Sequence, residues 1–249
     1  MSDLKAVIVA AGRGIRMGPR GEMTPKGLIR IDDVPLVRRS VSLLQAKGIQ
    51  HIRIVTGHLS DHYVAEFADV EGVELVHNPE YATTGSLRSL AVGLSGLFGP
   101  IVVLESDLIF ETKTLDPVTE PGSSILVSPK TNSGDEVYIW TRAGQPGQVV
   151  FDTMSKMPDY RPEPHYGELV GVSVFSVGDT EALKRAALQT LLKDPKSDYE
   201  TAVIAMAESR DIPCHRFDDL AWTEMDDEGM YSRAVEEVWP EIQKRDAQR

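Results

Sequence analysis

Ala6-Val-Ile-Val-Ala-Ala-Gly-Arg-Gly-Ile-Arg-Met17 decides how the 249-residue chain is read. Its first five residues are apolar without alternation, as expected of a strand buried on both faces. Another alanine and two glycines follow within four residues. Small residues at a strand's end let the backbone approach a ligand closely, and its N–H groups can cradle phosphate oxygens. Arg13 and Arg16 lie inside the loop and Arg20 just beyond it. A forked guanidinium suits phosphate better than a point charge does. A Walker A loop would require Gly-Lys-Ser/Thr, which is missing, and a dinucleotide fingerprint would require a third glycine where Met17 stands. Ala10, Ala11, Gly12, Arg13 and Gly14 are the candidate phosphate-binding residues, with a ligand-free glycine turn as the alternative.

Working outward, β-type and helical runs alternate. Strands are predicted at 6–10, 52–56, 73–77 and 101–104, with helices at 35–47, 59–68 and 86–97 between them. A βαβαβαβ series of this kind implies a mostly parallel sheet covered by helices. After residue 110 the pattern changes to short strands at 125–128, 137–140, 148–151 and 170–177. Gly144-Gln-Pro-Gly147 reads as a hairpin connection, and 155–168, with three prolines, as an irregular loop. Helices are predicted at 179–192, 198–208 and 227–245. The expected architecture is one α/β domain over 1–249. Its nucleotide-binding half is about 1–110. A smaller β-rich acceptor-binding part and a C-terminal helix occupy about 111–249.

Composition narrows the classes. Lys and Arg total 26 and Asp and Glu 38, a net charge of −12. Residues 1–60 carry 10 basic and 4 acidic side chains, +6, which leaves 16 − 34 = −18 for the rest. An acidic chain with one basic corner argues against nucleic acid and for a local anion site. No apolar run is long enough to span a membrane. The start lacks a signal peptide's layout, which points to the cytoplasm. The single Cys214 excludes an intrachain disulfide and reads as a buried or half-buried thiol. His58 and His62 have i,i+4 spacing without the accompanying Glu of a zinc helix, and read as a solvated face.

Acidic residues then gather at strand ends. Ile101-Val-Val-Leu-Glu-Ser-Asp107 is an apolar strand ending in carboxylates, where open α/β sheets bind ligands. Asp107 is a candidate ligand-binding carboxylate there, with a cap or turn residue as the alternative, and Glu105 reads as supporting structure. In Trp222-Thr-Glu-Met-Asp-Asp227, extended backbone places Glu224 and Asp226 on one face. Asp227 reads as the cap of the final helix.

The string 7–17 followed by Thr24-Pro-Lys-Gly-Leu28 resembles the signature of sugar-nucleotide-type nucleotidyltransferases. The segments 78–90, 104–111 and 131–138 resemble the phosphocholine and phosphonate cytidylyltransferase branch, which includes 2-aminoethylphosphonate cytidylyltransferases. The resemblance runs from residue 5 to about 240. It implies a Rossmann-like fold with a central, mostly parallel mixed sheet. It also implies Mg²⁺ as cofactor and CTP and a small phosphonate or phosphoamine acceptor as partners. Arg16 and Lys26 match the residues that stabilise charge at the α-phosphate and pyrophosphate. Asp107 matches the strand-end metal ligand, and Glu224 and Asp226 match the late Trp-x-Glu-x-Asp motif that completes the metal site. Thr84, Gly85 and Ser86 match the segment that contacts cytosine, with Ser106 also on the nucleotide side; a plain strand-to-helix connection capped by Ser86 is the alternative.

An acceptor ammonium would want carboxylates and an aromatic face. Asp135, Glu136, Tyr138, Asp198 and Tyr199 supply them, and Lys130 is the candidate for the phosphonate. Asp198 is equally the cap of the 198–208 helix. No aromatic cage for a quaternary ammonium is evident, which favours a primary one. Phosphocholine or sugar-phosphate transfer, a non-catalytic nucleotide sensor and an NAD-dependent oxidoreductase are the rival readings. A homodimer is left open.

Overall fold

The computed structural model describes residues 4–249. Lys5–Ala10 forms β1, which runs parallel to its neighbours on both sides. Alternation within β1 explains its unbroken apolar sequence. Val7 packs into the cluster with Leu87, Leu90 and Leu183, while Ala6, Ile8 and Ala10 pack into the one with Val37, Val41 and Leu44. Both faces are therefore core. A strand in that position cannot take a polar residue without burying it.

The chain leaves β1 through α1 (Pro19–Met23) and a small hairpin, β2 (Arg30–Ile31) and β3 (Val34–Pro35). It enters α2 (Leu36–Ala46), which ends at Lys47 before Gly48. Then follow β4 (His51–Thr56), α3 (Ser60–Phe67), β5 (Val73–His77), α4 (Ser86–Leu94) and β6 (Ile101–Glu105). A short β7 (Leu108–Phe110) leads to β8 (Ser124–Ser128), β9 (Tyr138–Ala143), β10 (Val149–Ser155) and β11 (Gly167–Phe175). The last elements are α5 (Val177–Lys193), α6 (Tyr199–Ala207), β12 (Cys214–Arg216), β13 (Trp222–Glu224), α7 (Glu228–Arg233) and α8 (Trp239–Asp246).

The nine-stranded sheet has the order β10-β9-β11-β6-β1-β4-β5, with β8 on β11 and β12 on β8. It is parallel from β6 through β1 and β4 to β5, and antiparallel where β11 joins β6, β8 and β9. The mixed sheet covered by helices is the architecture expected from the sequence. No described helix is long and apolar enough to cross a membrane.

Three departures have physical causes. β7 was not anticipated; it pairs antiparallel with β13, a partner more than a hundred residues away. The helix expected at 86–97 stops at Leu94, and Gly96 takes a positive φ of 70°. The final helix is not uniform over 227–245, because a π turn at Ala234–Val238 separates α7 from α8. Pro240 has no N–H to donate into the turn before it, and a widened turn absorbs that loss. Asp227 does cap α7, accepting the Met230 N–H at 2.8 Å. The segment 156–166 is irregular, and Gly144-Gln-Pro-Gly147 closes the β9–β10 hairpin. Cys214 is half-buried, with its thiol pushed up to about 12 by burial.

Glu168 is a buried acid in β11, 1% exposed, that accepts the Thr131 N–H (2.7 Å) and hydroxyl (3.1 Å). Burial pushes its carboxyl up to about 7, with the Thr131 bonds opposing the rise. An unfolded Glu titrates near 4.5, so the native state holds the proton more tightly between those values. The stability contributed by this carboxyl is therefore present at low pH and lost as pH rises to about 7. The shift corresponds to on the order of 3 kcal/mol. Glu168→Gln keeps an acceptor for Thr131 and removes the charge. Melting followed from pH 5 to 8 is expected to show a flatter pH dependence for the variant and a higher Tm at pH 8. A parallel pair of curves would refute the account.

Candidate active site

The site lies where β1 and β6 end. Beyond Ala10 the chain turns over Ala11 and Gly12 to Gly14, which has a left-handed φ of 60°. A Cβ there would sit 2.8 Å from Lys26 Cγ, so glycine lets the loop close over the lysine stem. Met17, fully buried beside Ile29, Leu36 and Met225, anchors the loop from below. A short turn at Lys26–Leu28, preceded by Pro25, then turns Lys26 back under it.

Two remote strands bring the acids. β6 ends at Glu105, and β13 lies antiparallel to β7 with Glu224 opposite Leu108. The Met225 N–H donates to the Asp107 carbonyl at 3.0 Å, which fixes Asp226 beside Asp107. The Lys26 ammonium bridges Asp107 and Asp226. Burial alone would lower its pKa, but the two carboxylates outweigh burial and hold it above the ordinary lysine value. Arg16 spans Asp135 and Asp226, at 2.8 Å to each. Lys156 reaches Asp135 at 2.8 Å. Asp135, Glu224 and Asp226 each offer an oxygen within 4.8 Å of the others, a set of hard donors suited to a divalent ion.

These groups open on a cavity of about 470 Å³. Ala10, Ala11, Gly12, Arg13, Arg16 and Lys26 form one side, with Thr84, Gly85, Ser86 and Ser106 beside them. Gly12 has open space where a Cβ would stand. Glu105, Lys156, Asp198, Tyr199, Glu200 and Glu224 also line the cavity, with Asp198 and the Tyr199 N–H hydrogen-bonded to Ser86. Acid outnumbers base here, and burial and mutual repulsion raise the carboxyls. Burial, then Glu105, Asp107 and other acids, push Glu224 up to about 10. Burial with Asp107 and Glu200 pushes Glu105 up to about 8, and burial pushes Glu200 to about 7. A site with this charge excess is built to receive cations.

The expected residues divide into those the cavity gathers and those it does not. The triphosphate cradle, Arg16, Lys26, Asp107, Glu224, Asp226 and the 84–86 segment all converge. Asp107 faces Lys26, and Asp135 is the third carboxylate beside Glu224 and Asp226. Asp198 stands at the α6 cap position, yet its carboxylate makes no cap bond to that helix and accepts instead from the Ser86 hydroxyl at 3.1 Å and the Ser86 N–H at 3.4 Å. Ser86 is the first residue of α4, and Gly85 takes the cap position. Lys130, Glu136 and Tyr138 lie off the cavity. The Tyr138 hydroxyl donates to Glu136, Lys130 sits over the Tyr138 ring at 5.4 Å, and His165 stacks 4.6 Å from it. Arg20 also leaves the loop, forking onto Glu228 and stacking 4.1 Å from Tyr231.

Lys156 and Glu200 were not anticipated, and Glu105 was expected only as support. Glu105 could have been found from its two-residue spacing to Asp107. Nothing local marks Lys156, the residue after β10 at the start of an irregular segment.

A glycine loop with basic side chains facing strand-end acids, at the carboxyl edge of a Rossmann-like sheet, defines a nucleotidyltransferase. Residues 6–159 match the MobA-like NTP transferase domain, and the chain belongs to that family. Its relatives include the choline-phosphate cytidylyltransferase of Streptococcus pneumoniae, 32% identical over 47% of this chain and 50% of that one. The 2-aminoethylphosphonate cytidylyltransferase of Lancefieldella rimae is 27% identical over 72% of this chain and 70% of that one. The chain thus spans only half the length of the pneumococcal relative. In fold, the inositol-1-phosphate CTP transferase from T. maritima superposes with a TM-score of 0.79 at 15% identity, covering 98% of this chain and 97% of that one. CTP:phosphocholine cytidylyltransferase from S. pneumoniae does so with 0.73 at 21% identity, covering 94% and 98%.

Proposed function

We propose that the chain transfers CMP from CTP to a small phosphonate, with 2-aminoethylphosphonate the leading acceptor, and releases pyrophosphate. The observation that carries this reading is the convergence of Arg16 and Lys26 with Asp107 and Asp226 on a cavity that Glu105, Glu200 and Glu224 also line. Cytidylyltransferase relatives with phosphonate and phosphocholine acceptors support it.

The acceptor oxygen is already anionic, so no strong general base is required. The protein must bring two anions together and hold them in line. Backbone N–H groups of 11–14 face the triphosphate, and Arg16 and Lys26 screen charge at the phosphorus under attack and on the departing pyrophosphate. Thr84, Gly85 and Ser86 offer small groups and hydroxyls to the edge of a flat base. Asp107, Glu224 and Asp226, with Asp135 in reach, would hold Mg²⁺, and a bound ion would supply further neutralisation of phosphate charge.

The decisive assay is pyrophosphate release across a panel of nucleoside triphosphates and of phosphonate, phosphocholine and sugar-phosphate acceptors. Turnover is expected with CTP and 2-aminoethylphosphonate. Absence of CTP-dependent turnover with every phosphonate and with phosphocholine would sink the reading.

Lys156 is placed to meet the acceptor's phosphonate. It lines the cavity, and its ammonium can turn from Asp135 toward an incoming anion. Lys156→Ala is expected to raise the acceptor KM about tenfold, with the CTP KM changed far less. Equal rises in both KM values would place Lys156 on the nucleotide instead.

A further inference from the structure

β4 runs beside β1 with Thr56 opposite Ala10, so the two strands end together. The residues after Thr56 therefore lie against the start of the phosphate loop. Space demands glycine at position 57. A Cβ there would stand 2.7 Å from the Ala11 carbonyl oxygen and 2.6 Å from the Tyr81 Cβ. His58 follows and touches the loop segment twice. Its backbone N–H donates to the Ala11 carbonyl at 3.2 Å. Its ring Nε2 lies 3.2 Å from the Gly21 carbonyl oxygen. A carbonyl only accepts, so Nε2 carries the proton and donates. Gly21 belongs to α1 and packs against the loop. A Cβ on it would come within 2.3 Å of the Gly14 carbonyl oxygen and 3.1 Å of the Met17 Cβ. Leu59 completes the turn with a left-handed φ of 50°, which a residue other than glycine seldom adopts. Backbone strain of this kind gathers at ligand clamps, where the surroundings hold it in place.

We propose that His58 is a positioning residue that clamps both ends of the phosphate loop, and that it serves the phosphates and not the base. This inference rests on the reading that residues 10–14 hold a triphosphate. The spacing of His58 and His62 suggests a solvated face, and His62 is indeed exposed, but His58 is half-buried and turned onto Gly21. Gly12, Gly14 and Gly18 leave the stretch from Ala11 to Gly21 a wide choice of backbone conformations. Its N–H groups can aim at one anion only if that choice is removed before binding. Met17 holds the loop from below, and His58 fixes its two ends. The bond to Ala11 is made by backbone and survives any substitution. The bond to Gly21 belongs to the imidazole alone. The Tyr81 ring packs 6.4 Å from His58 but also 6.1 Å from His77, so it keeps an aromatic neighbour when the His58 ring is removed.

Calorimetry on the intact protein, with CTP and with inorganic tripolyphosphate as ligands, tests the clamp. His58→Ala is expected to weaken both by the same factor, about tenfold, the effect of one lost hydrogen bond. His58→Gln places an amide N–H near the position of Nε2, and both affinities are expected to return to within about threefold of wild type. Rescue of that kind would not follow if the ring acted only by filling space. Unchanged CTP affinity in a folded His58→Ala, a loss for CTP without one for tripolyphosphate, or no recovery in His58→Gln would each overturn the proposal. If His58→Ala fails to fold, the imidazole nitrogen NMR spectrum of the wild-type protein at pH 8 decides. The proton is expected on Nε2, and a proton on Nδ1 would overturn the clamp. A wild-type chain that binds neither ligand would overturn the nucleotide reading together with this one. If binding follows the expected pattern while no acceptor takes CMP, the transfer reading falls and the clamp stands.

Discussion

Lys26→Ala is expected to lower kcat by about 10²–10³-fold, the range seen when one donor to a developing anion is removed. The expectation follows from how completely the lysine is committed. Its stem lies under Gly14, and its ammonium is shared by Asp107 and Asp226, which come from different strands. One side chain therefore ties the phosphate loop, the end of β6 and the end of β13 into a single charged unit. Charge that strengthens on the phosphate oxygens during transfer would lose its nearest fixed ammonium. The CTP KM should rise less than kcat falls, because backbone donors and Arg16 remain for the ground state. Without their shared counter-ion, the charged carboxylates of Asp107 and Asp226 repel one another, with Arg16 left on Asp226 alone of the two. The stability gap between variant and parent should therefore widen as pH rises from 5 to 8. Steady-state kinetics with melting at both pH values checks the two halves of the argument. A near-normal kcat would remove Lys26 from the chemistry.

The same residues show how much was legible beforehand. The unbroken apolar run of β1 and the small residues after it identify a parallel strand feeding a ligand loop, because both properties are local. Arg16, Lys26, Asp107, Glu224 and Asp226 were readable because each sits within a short motif. Glu200 and Lys156 were not, since they reach the cavity through pairings that no periodicity records. β11 joins β8 with a register shift, and Lys156 follows β10, two strands beyond β11 in the sheet.

Residues 135–138 show the limit at the scale of one residue. Asp135 and Val137 serve the cavity, whereas Glu136 and Tyr138 belong to the cluster around His165. Side chains in extended backbone alternate between faces, so a segment that reaches a site offers it every second residue. Taking Asp135, Glu136 and Tyr138 together as acceptor ligands ignored that alternation. The first of them lies beside Arg16, Glu224 and Asp226, and the other two face away.

Asp226→Asn should cost more than any other carboxylate replacement, about 10³-fold in kcat. Among the described residues Asp226 is the one acid that touches both Arg16 and Lys26, and it also belongs to the triad with Asp135 and Glu224. Asn keeps the shape and one acceptor oxygen but loses the charge on which all three relations depend. Burial pushes the Asp226 carboxyl up, and Lys26 opposes that rise by holding the charged form. In the variant, Arg16 retains only Asp135 and Lys26 retains only Asp107. If Asp226 helps to hold a divalent ion, the Mg²⁺ concentration for half-maximal rate should rise along with the fall in kcat. If it acts only by positioning the two cations, kcat should fall with the Mg²⁺ dependence unchanged. The double variant with Lys26→Ala separates coupled from independent action. Residues that work as one unit lose little more together than the worse single change, whereas independent ones multiply their losses. The shared ion pair predicts the first outcome, with the double variant within about tenfold of Asp226→Asn alone. A product of the two single losses would mean that Lys26 and Asp226 act on different parts of the reaction.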